Sequence, residues 1–149
     1  MSDFDFAIIG AGIAGASLAA QLSARHKVLL IEAEAHPGYH STGRSAAFWV
    51  ECYGGPGVQP LTTASGPFLA MPPADFHDGP LMHRRGALHI GTAEHLSLAD
   101  NMLAEFAASG VCIEHIDRRA VAAVVPGLRE NWTHGLWEPA CCDIDVAAL

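Results

Sequence analysis

The sequence predicts an α/β protein: a Rossmann-like βαβ unit in residues 1–50, followed by part of an α+β domain in residues 51–149. Three observations carry that prediction. A short apolar run, Phe6–Ile9, leads directly into Gly10-Ala11-Gly12-Ile13-Ala14-Gly15, a G-x-G-x-x-G. An alanine- and leucine-rich stretch of helical character comes next. A second apolar run, Lys27–Ile31, then closes on the acid Glu32, 17 residues after Gly15. Strand, glycine turn, helix, strand and acid, in that order, hold a dinucleotide.

Each residue of that unit has an expected task. Phe6–Ile9 is the kind of run that forms a strand buried on both faces. Gly10 allows a tight turn off the strand end, Gly12 lets a pyrophosphate approach the backbone, and Gly15 lets the helix lie close to the strand. The helix N-terminus, with the N–H groups around Ile13 and Ala14, faces the phosphates. Ala14, Leu18 and Leu22 recur at helical spacing and predict the face that meets the sheet. Glu32, with Ala33 beside it, is placed to bind a ribose hydroxyl.

Composition narrows the class. Half of the 149 residues are hydrophobic, the net charge is −8, and the eight Lys and Arg are scattered. That suits a globular domain with a sizeable core and argues against a nucleic-acid or anionic-membrane surface. Cys52, Cys112, Cys141 and Cys142 form no C-x-x-C pair and read as reduced thiols, which points to a cytoplasmic protein. The acidic start Met1-Ser2-Asp3-Phe4-Asp5 lacks the basic region of a signal peptide. Ala7–Ala24 is apolar, but its three glycines fit the nucleotide motif better than a membrane span.

Beyond Glu32, Pro37-Gly38 marks a turn, and Ser41-Thr42-Gly43 supplies small donors, with Arg44 adding a cation. A helix is expected to begin at Ser45–Val50 and to end at Gly54–Gly57. Leu61–Phe76 predicts a short helix stopped by Pro72-Pro73. Arg84–Gly91 predicts one strand. Thr92 is the expected N-cap of a helix over Ala93–Ser109, with Gly110 just past its end. Val111–Ile116 predicts a strand, and Asp117 caps a helix over Arg118–Val125. Gly135–Glu138 predicts a further strand, and Asp145 caps a helix starting at Val146.

Together, GAGIAGAS and EAEAHPGYHSTGRSAA resemble the FAD-dependent D-amino acid dehydrogenase and oxidase family, relatives of glycine and sarcosine oxidase. The resemblance is nearest to the D-arginine dehydrogenase branch. It continues through Tyr53-Gly54, Leu61–Phe76 and Asp143-Ile144-Asp145, so it covers essentially the whole chain. It implies FAD as cofactor, with Ser41, Thr42, Arg44, Ser45, Ala46 and Ala47 running beside the flavin. It also implies hydride transfer from an amino acid α-carbon to the flavin, giving an imino acid. Tyr53 matches a tyrosine of the family's active-site wall, where it would hydrogen-bond or gate near the substrate. A buried core tyrosine is the competing expectation. Phe48 stands where the D-arginine branch carries a histidine, Val50 where it carries a polar residue, and Ala87 where an acid would serve a cationic side chain. Those departures favour a small or apolar amino acid as substrate. His26 stands where an additional glycine is often found.

Family members are twice as long or more, and two βαβ strands make a marginal sheet. The chain is therefore expected to be an N-terminal part of such an enzyme, inactive by itself. Two alternatives stand beside this: an NAD-binding dehydrogenase, and a catalytically dead nucleotide-binding module. Metal chemistry is not expected, because the nine histidines form no H-E-x-x-H. Cys52 reads as a small buried hydrophobe. Gly43–Ala47 lacks the second glycine of a nucleophile elbow. The electron acceptor, oxygen or a quinone, is not legible.

Overall fold

The computed structural model describes residues 3–149. The chain separates into two compact units, one ending at Ala46 and the other spanning Ala47–Leu149.

In the first unit, β1 (Phe6–Ile9) and β2 (Val28–Ile31) pair in parallel, from Phe6 opposite Val28 to Ile9 opposite Ile31. Helix α1 (Ile13–Ser23) connects them. Gly10 makes the turn with φ +95°, a region that side chains disfavour. A Cβ on Gly15 would lie 1.9 Å from the Gly10 carbonyl oxygen, so only glycine fits there.

Two expectations for this unit need correction. First, β1 is mostly exposed, with Ile9 88% accessible, and not buried on both faces. Burial on both faces requires flanking strands and a second helical layer; among the described residues this unit has two strands and one helix. Second, Ala14 and Leu18 are exposed, and the half-buried positions are Gly12, Gly15, Ala16, Ala19 and Leu22. The contact at Gly15 fixes the rotation of α1, and the residues one and two turns along its stripe follow it inward.

The second unit is built on two three-stranded antiparallel sheets. One has the order β3 (Phe48–Trp49), β8 (Cys142–Ile144), β4 (Met82–Arg84). The other has the order β5 (Ala87–Gly91), β7 (His134–Glu138), β6 (Glu114–Asp117). No helix starts at Ser45: Phe48 and Trp49 pair instead with Asp143 and Cys142. The Trp49 indole lies against Gly66 of helix α2 (Gln59–Ala70) and donates to the Thr62 carbonyl at 2.7 Å. A pairing with residues far along the chain decides this segment, and local propensity could not show it.

The single strand expected over Arg84–Gly91 is two strands in different sheets. The break falls at Gly86, whose φ is +78° and whose missing Cβ would strike the Trp137 ring at 2.2 Å. Thr92 and His95 form a reciprocal cap on a short 3-10 turn, Ala93–His95, which leads into α3 (Leu96–Phe106). The helix ends earlier than the expected Ser109, and Gly110 follows with φ +82°. Asp117 Oδ1 accepts the Ala120 N–H at 2.8 Å and caps α4 (Arg118–Val124). At the end of the chain, Asp145 Oδ1 accepts from the Ala147 and Ala148 N–H groups in a turn and not in a helix. Strand β7 lies at the centre of its sheet, touched by α3 and α4, and Val121, Leu136, Phe106 and Ala99 are buried.

Candidate functional site

In the first unit the glycine turn, the end of β2 and the loop after it converge. Glu32 ends β2, and its carboxylate is held by backbone donors on both oxygens. Oε2 accepts the Ala11 N–H at 2.7 Å; Oε1 accepts those of Ala33 at 2.8 Å and Glu34 at 3.1 Å. These bonds, that from Ala11 foremost, hold its pKa below the ordinary carboxylate value. A carboxylate has about four lone-pair sites, so one direction is left for a hydroxyl.

The loop of Ser41–Ala46 folds back on the same turn. Thr42 Oγ1 accepts the Ile13 N–H at 3.0 Å, and a Cβ on Gly12 would come within 3.2 Å of that oxygen. Gly38 donates to the Ala11 carbonyl at 3.1 Å, which pins the loop a second time. Helix α1 has no side-chain cap from Gly12. Its first-turn N–H groups at Ala14 and Gly15 have no acceptor among the described residues. That is the donor set an anion requires at a helix N-terminus. The residues therefore fit a dinucleotide: oriented carboxylate, glycine turn and open amides lie within one small region. Arg44 lies over the Tyr39 ring at 5.0 Å, with no acid paired to it among the described residues, and Ser41 and Ser45 are exposed.

The second unit holds a cavity of about 500 Å³. Phe48, Val50, Tyr53 and Ala87 line it, together with Trp137 and Arg85. Tyr53 is 81% exposed in this chain, not buried. Arg85 Nη1 donates to Asp143 Oδ1 at 2.9 Å, and its guanidinium lies 5.0 Å from the centre of the Phe48 ring. The walls are mainly apolar, and the Arg85 guanidinium, the Tyr53 phenol and the His89 imidazole are among their polar groups. Ala47, the last residue of the expected flavin loop, accepts the Ile144 N–H at 2.9 Å through its carbonyl.

All four cysteines are free thiols, and Cys52, Cys141 and Cys142 are buried. Cys52 donates its S–H to Glu138 Oε2 at 2.7 Å, and Glu138 Oε1 accepts the Glu51 N–H at 2.9 Å. Burial, and then the bond to Glu138, pushes the Cys52 thiol up to about 12. It is therefore protonated at neutral pH and is not a nucleophile.

Sequence reasoning missed Arg85 and Glu138. Glu138 had a signal: it closes an apolar strand in GLWE as Glu32 does in LLIE. Arg85 had a weaker one in the Arg-Gly dipeptide that interrupts the predicted strand.

Over residues 5–149 the chain matches the family model described as FAD dependent oxidoreductase. An uncharacterized protein of Methanocaldococcus jannaschii is 47% identical over 62 residues, covering 41% of this chain and 17% of its own. Among solved structures, glycine oxidase from Geobacillus kaustophilus superposes with a TM-score of 0.80 at 19% identity, over 97% of this chain and 42% of its own. L-alpha-glycerophosphate oxidase from Mycoplasma pneumoniae, with FAD bound, gives 0.82 at 16%, over 98% and 40%. L-amino acid deaminase from Proteus vulgaris gives 0.77 at 16%, over 96% and 39%. The chain thus spans less than half the length of each of these proteins. At such identities the structural likenesses establish the fold, while the family match extends over nearly every residue. This chain belongs to the FAD dependent oxidoreductase family.

Proposed function

We propose that this chain is the N-terminal part of an enzyme that oxidises the C–N bond of a small or apolar amino acid. Within the family we assign it next to the D-arginine dehydrogenase branch, with a changed substrate preference. The observation that carries the assignment is the hydrogen bond that the Ile13 N–H donates to Thr42 Oγ1. It joins the HSTGRSAA loop to the glycine turn, a pairing that a bare NAD site does not need. When bound, FAD supplies the acceptor for hydride from the substrate α-carbon.

The residues of this chain bind and orient. Gly10, Gly12 and Gly15, with the open amides of Ala14 and Gly15, form the pyrophosphate end of the site, and Ile13, whose amide Thr42 holds, stands beside it. Glu32 and Ala33 serve the ribose, and Ser41, Thr42, Arg44, Ser45, Ala46 and Ala47 follow the flavin. Tyr53 offers its exposed hydroxyl to substrate. Phe48 and Val50 exclude water from the cavity and disfavour a cationic side chain, since no acid stands at position 87 to pair with it.

The test is the visible spectrum of the purified protein after desalting, together with titration of the loop variants. Arg44→Ala and Ser45→Ala should each weaken FAD by about tenfold, the loss of one good polar contact, and leave NAD affinity unchanged. Full FAD affinity in both variants would refute the flavin assignment. Faster flavin reduction by arginine than by alanine or glycine would refute the substrate class.

A further inference from the structure

We propose that Cys52, His89 and Glu138 form a binding site for a divalent ion of the zinc class. The three side chains come from separate segments: Cys52 follows β3, His89 is central in β5, and Glu138 ends β7. In the antiparallel register Ala87 faces Glu138 and His89 faces Leu136. His89 and Glu138 therefore project from the same side of the sheet at diagonal positions. Their ligand atoms and Cys52 Sγ all lie within 4.8 Å of one another.

The distances fit one tetrahedral ion with one adjustment. Sγ and the His89 Nε2 are 3.6 Å apart. Two ligands at about 2.3 Å and about 2.1 Å from a tetrahedral zinc are about 3.6 Å apart. Sγ and Glu138 Oε2 are closer, at 2.7 Å, because the thiol donates its proton across that gap. Binding sends that proton to solvent and moves the sulfur outward by about 1 Å to the spacing that the ion imposes. Thiolate and carboxylate then neutralise the dication, leaving no net charge inside.

Three further features point the same way. Glu138 is completely buried, and among the described residues its oxygens are met only by one backbone N–H and one thiol. That is thin compensation for a carboxylate withdrawn from water. The Glu51 N–H on Oε1 orients the group and leaves Oε2 for an ion, as outer partners do in metal sites. His89 is exposed and gives the ion a path from solvent. One sulfur, one imidazole nitrogen and one carboxylate oxygen suit zinc and not magnesium or calcium. The ion would tie the segment after β3 to the β5–β7 pair.

The experiment is equilibrium dialysis of chelator-stripped, flavin-loaded protein against Zn²⁺, with the retained metal measured by elemental analysis. A parallel sample takes Co²⁺, read as a difference spectrum so that flavin absorption cancels. One retained zinc per chain and a thiolate-to-cobalt charge-transfer band are expected. His89→Gln, at an exposed position, keeps the fold by circular dichroism and should weaken zinc by more than about tenfold. Cys52→Ser should abolish the band, while Cys112→Ser should retain both signals. Absence of retained zinc in the unaltered protein overturns the proposal, whatever the variants do. Zinc retained unchanged in His89→Gln, or a cobalt band that survives Cys52→Ser, also overturns it.

Discussion

Strands β1 and β7 are both short, yet their composition and environments differ: β1 is FAII and β7 is HGLWE. Ile9, at the end of β1, is 88% exposed, whereas in β7 all residues except the half-buried Trp137 are buried. Around β1, order comes from backbone geometry: a left-handed glycine, a helix touching a carbonyl, and a carboxylate gathering amides. Around β7 it comes from excluded water and packed side chains. The first unit should therefore be sensitive to changes of a single atom at a glycine, and the second to lost volume in its core.

All three tryptophans, Trp49, Trp132 and Trp137, lie in the second unit, so their fluorescence follows that unit alone, while bound nucleotide follows the first. Gly15→Val should have the largest effect. Its Cβ would meet the Gly10 carbonyl, and a cost of about 3 kcal/mol or more is expected from overpacking against backbone that cannot yield. FAD binding should vanish while tryptophan fluorescence keeps its native urea midpoint; a shared loss would show that the two units do not answer separately. Leu136→Ala tests the opposite half. Its side chain is buried at the centre of β7, and about 3 kcal/mol should be lost from the fluorescence transition.

A smaller effect, about 1 kcal/mol, is expected for Asp117→Ala, which leaves the Ala120 N–H without its cap. Its measurement is the same urea transition. The smallest effect is conditional on pH. Glu32 has a folded pKa below the unfolded one, so its contribution is present above the unfolded value and is lost as pH falls through the folded value. Acid titration of FAD binding should show that loss in the unaltered protein and a flatter profile in Glu32→Gln. Equal profiles would mean that the amides around Glu32 do not hold its charge.

The sequence made the first unit legible because its constraints are local. Gly10, Gly15 and Glu32 stand within one βαβ segment, and each has a sterically defined task. Leucine spacing alone misplaces the facing of α1, because the close contact at Gly15 sets the helix rotation. In the second unit, Asp117 and Thr92 were readable as caps, since capping involves residues three apart. Strands β3 and β8 were not, because Phe48 is ordered by Asp143 and Trp49 by Cys142, partners more than ninety positions away. The cluster of Cys52, His89 and Glu138 escaped for the same reason: its members share a place only after β5 and β7 have paired.

The Thr42 hydroxyl on the Ile13 amide closes a ring of chain between positions 13 and 42. The amide is the first of its helix, where no carbonyl within the helix protects it. Its hydrogen therefore exchanges with solvent only when the loop lifts away. One resolved proton, followed in deuterated water, would time the opening of the cofactor loop directly, and bound FAD should slow that clock in proportion to how firmly the loop is held.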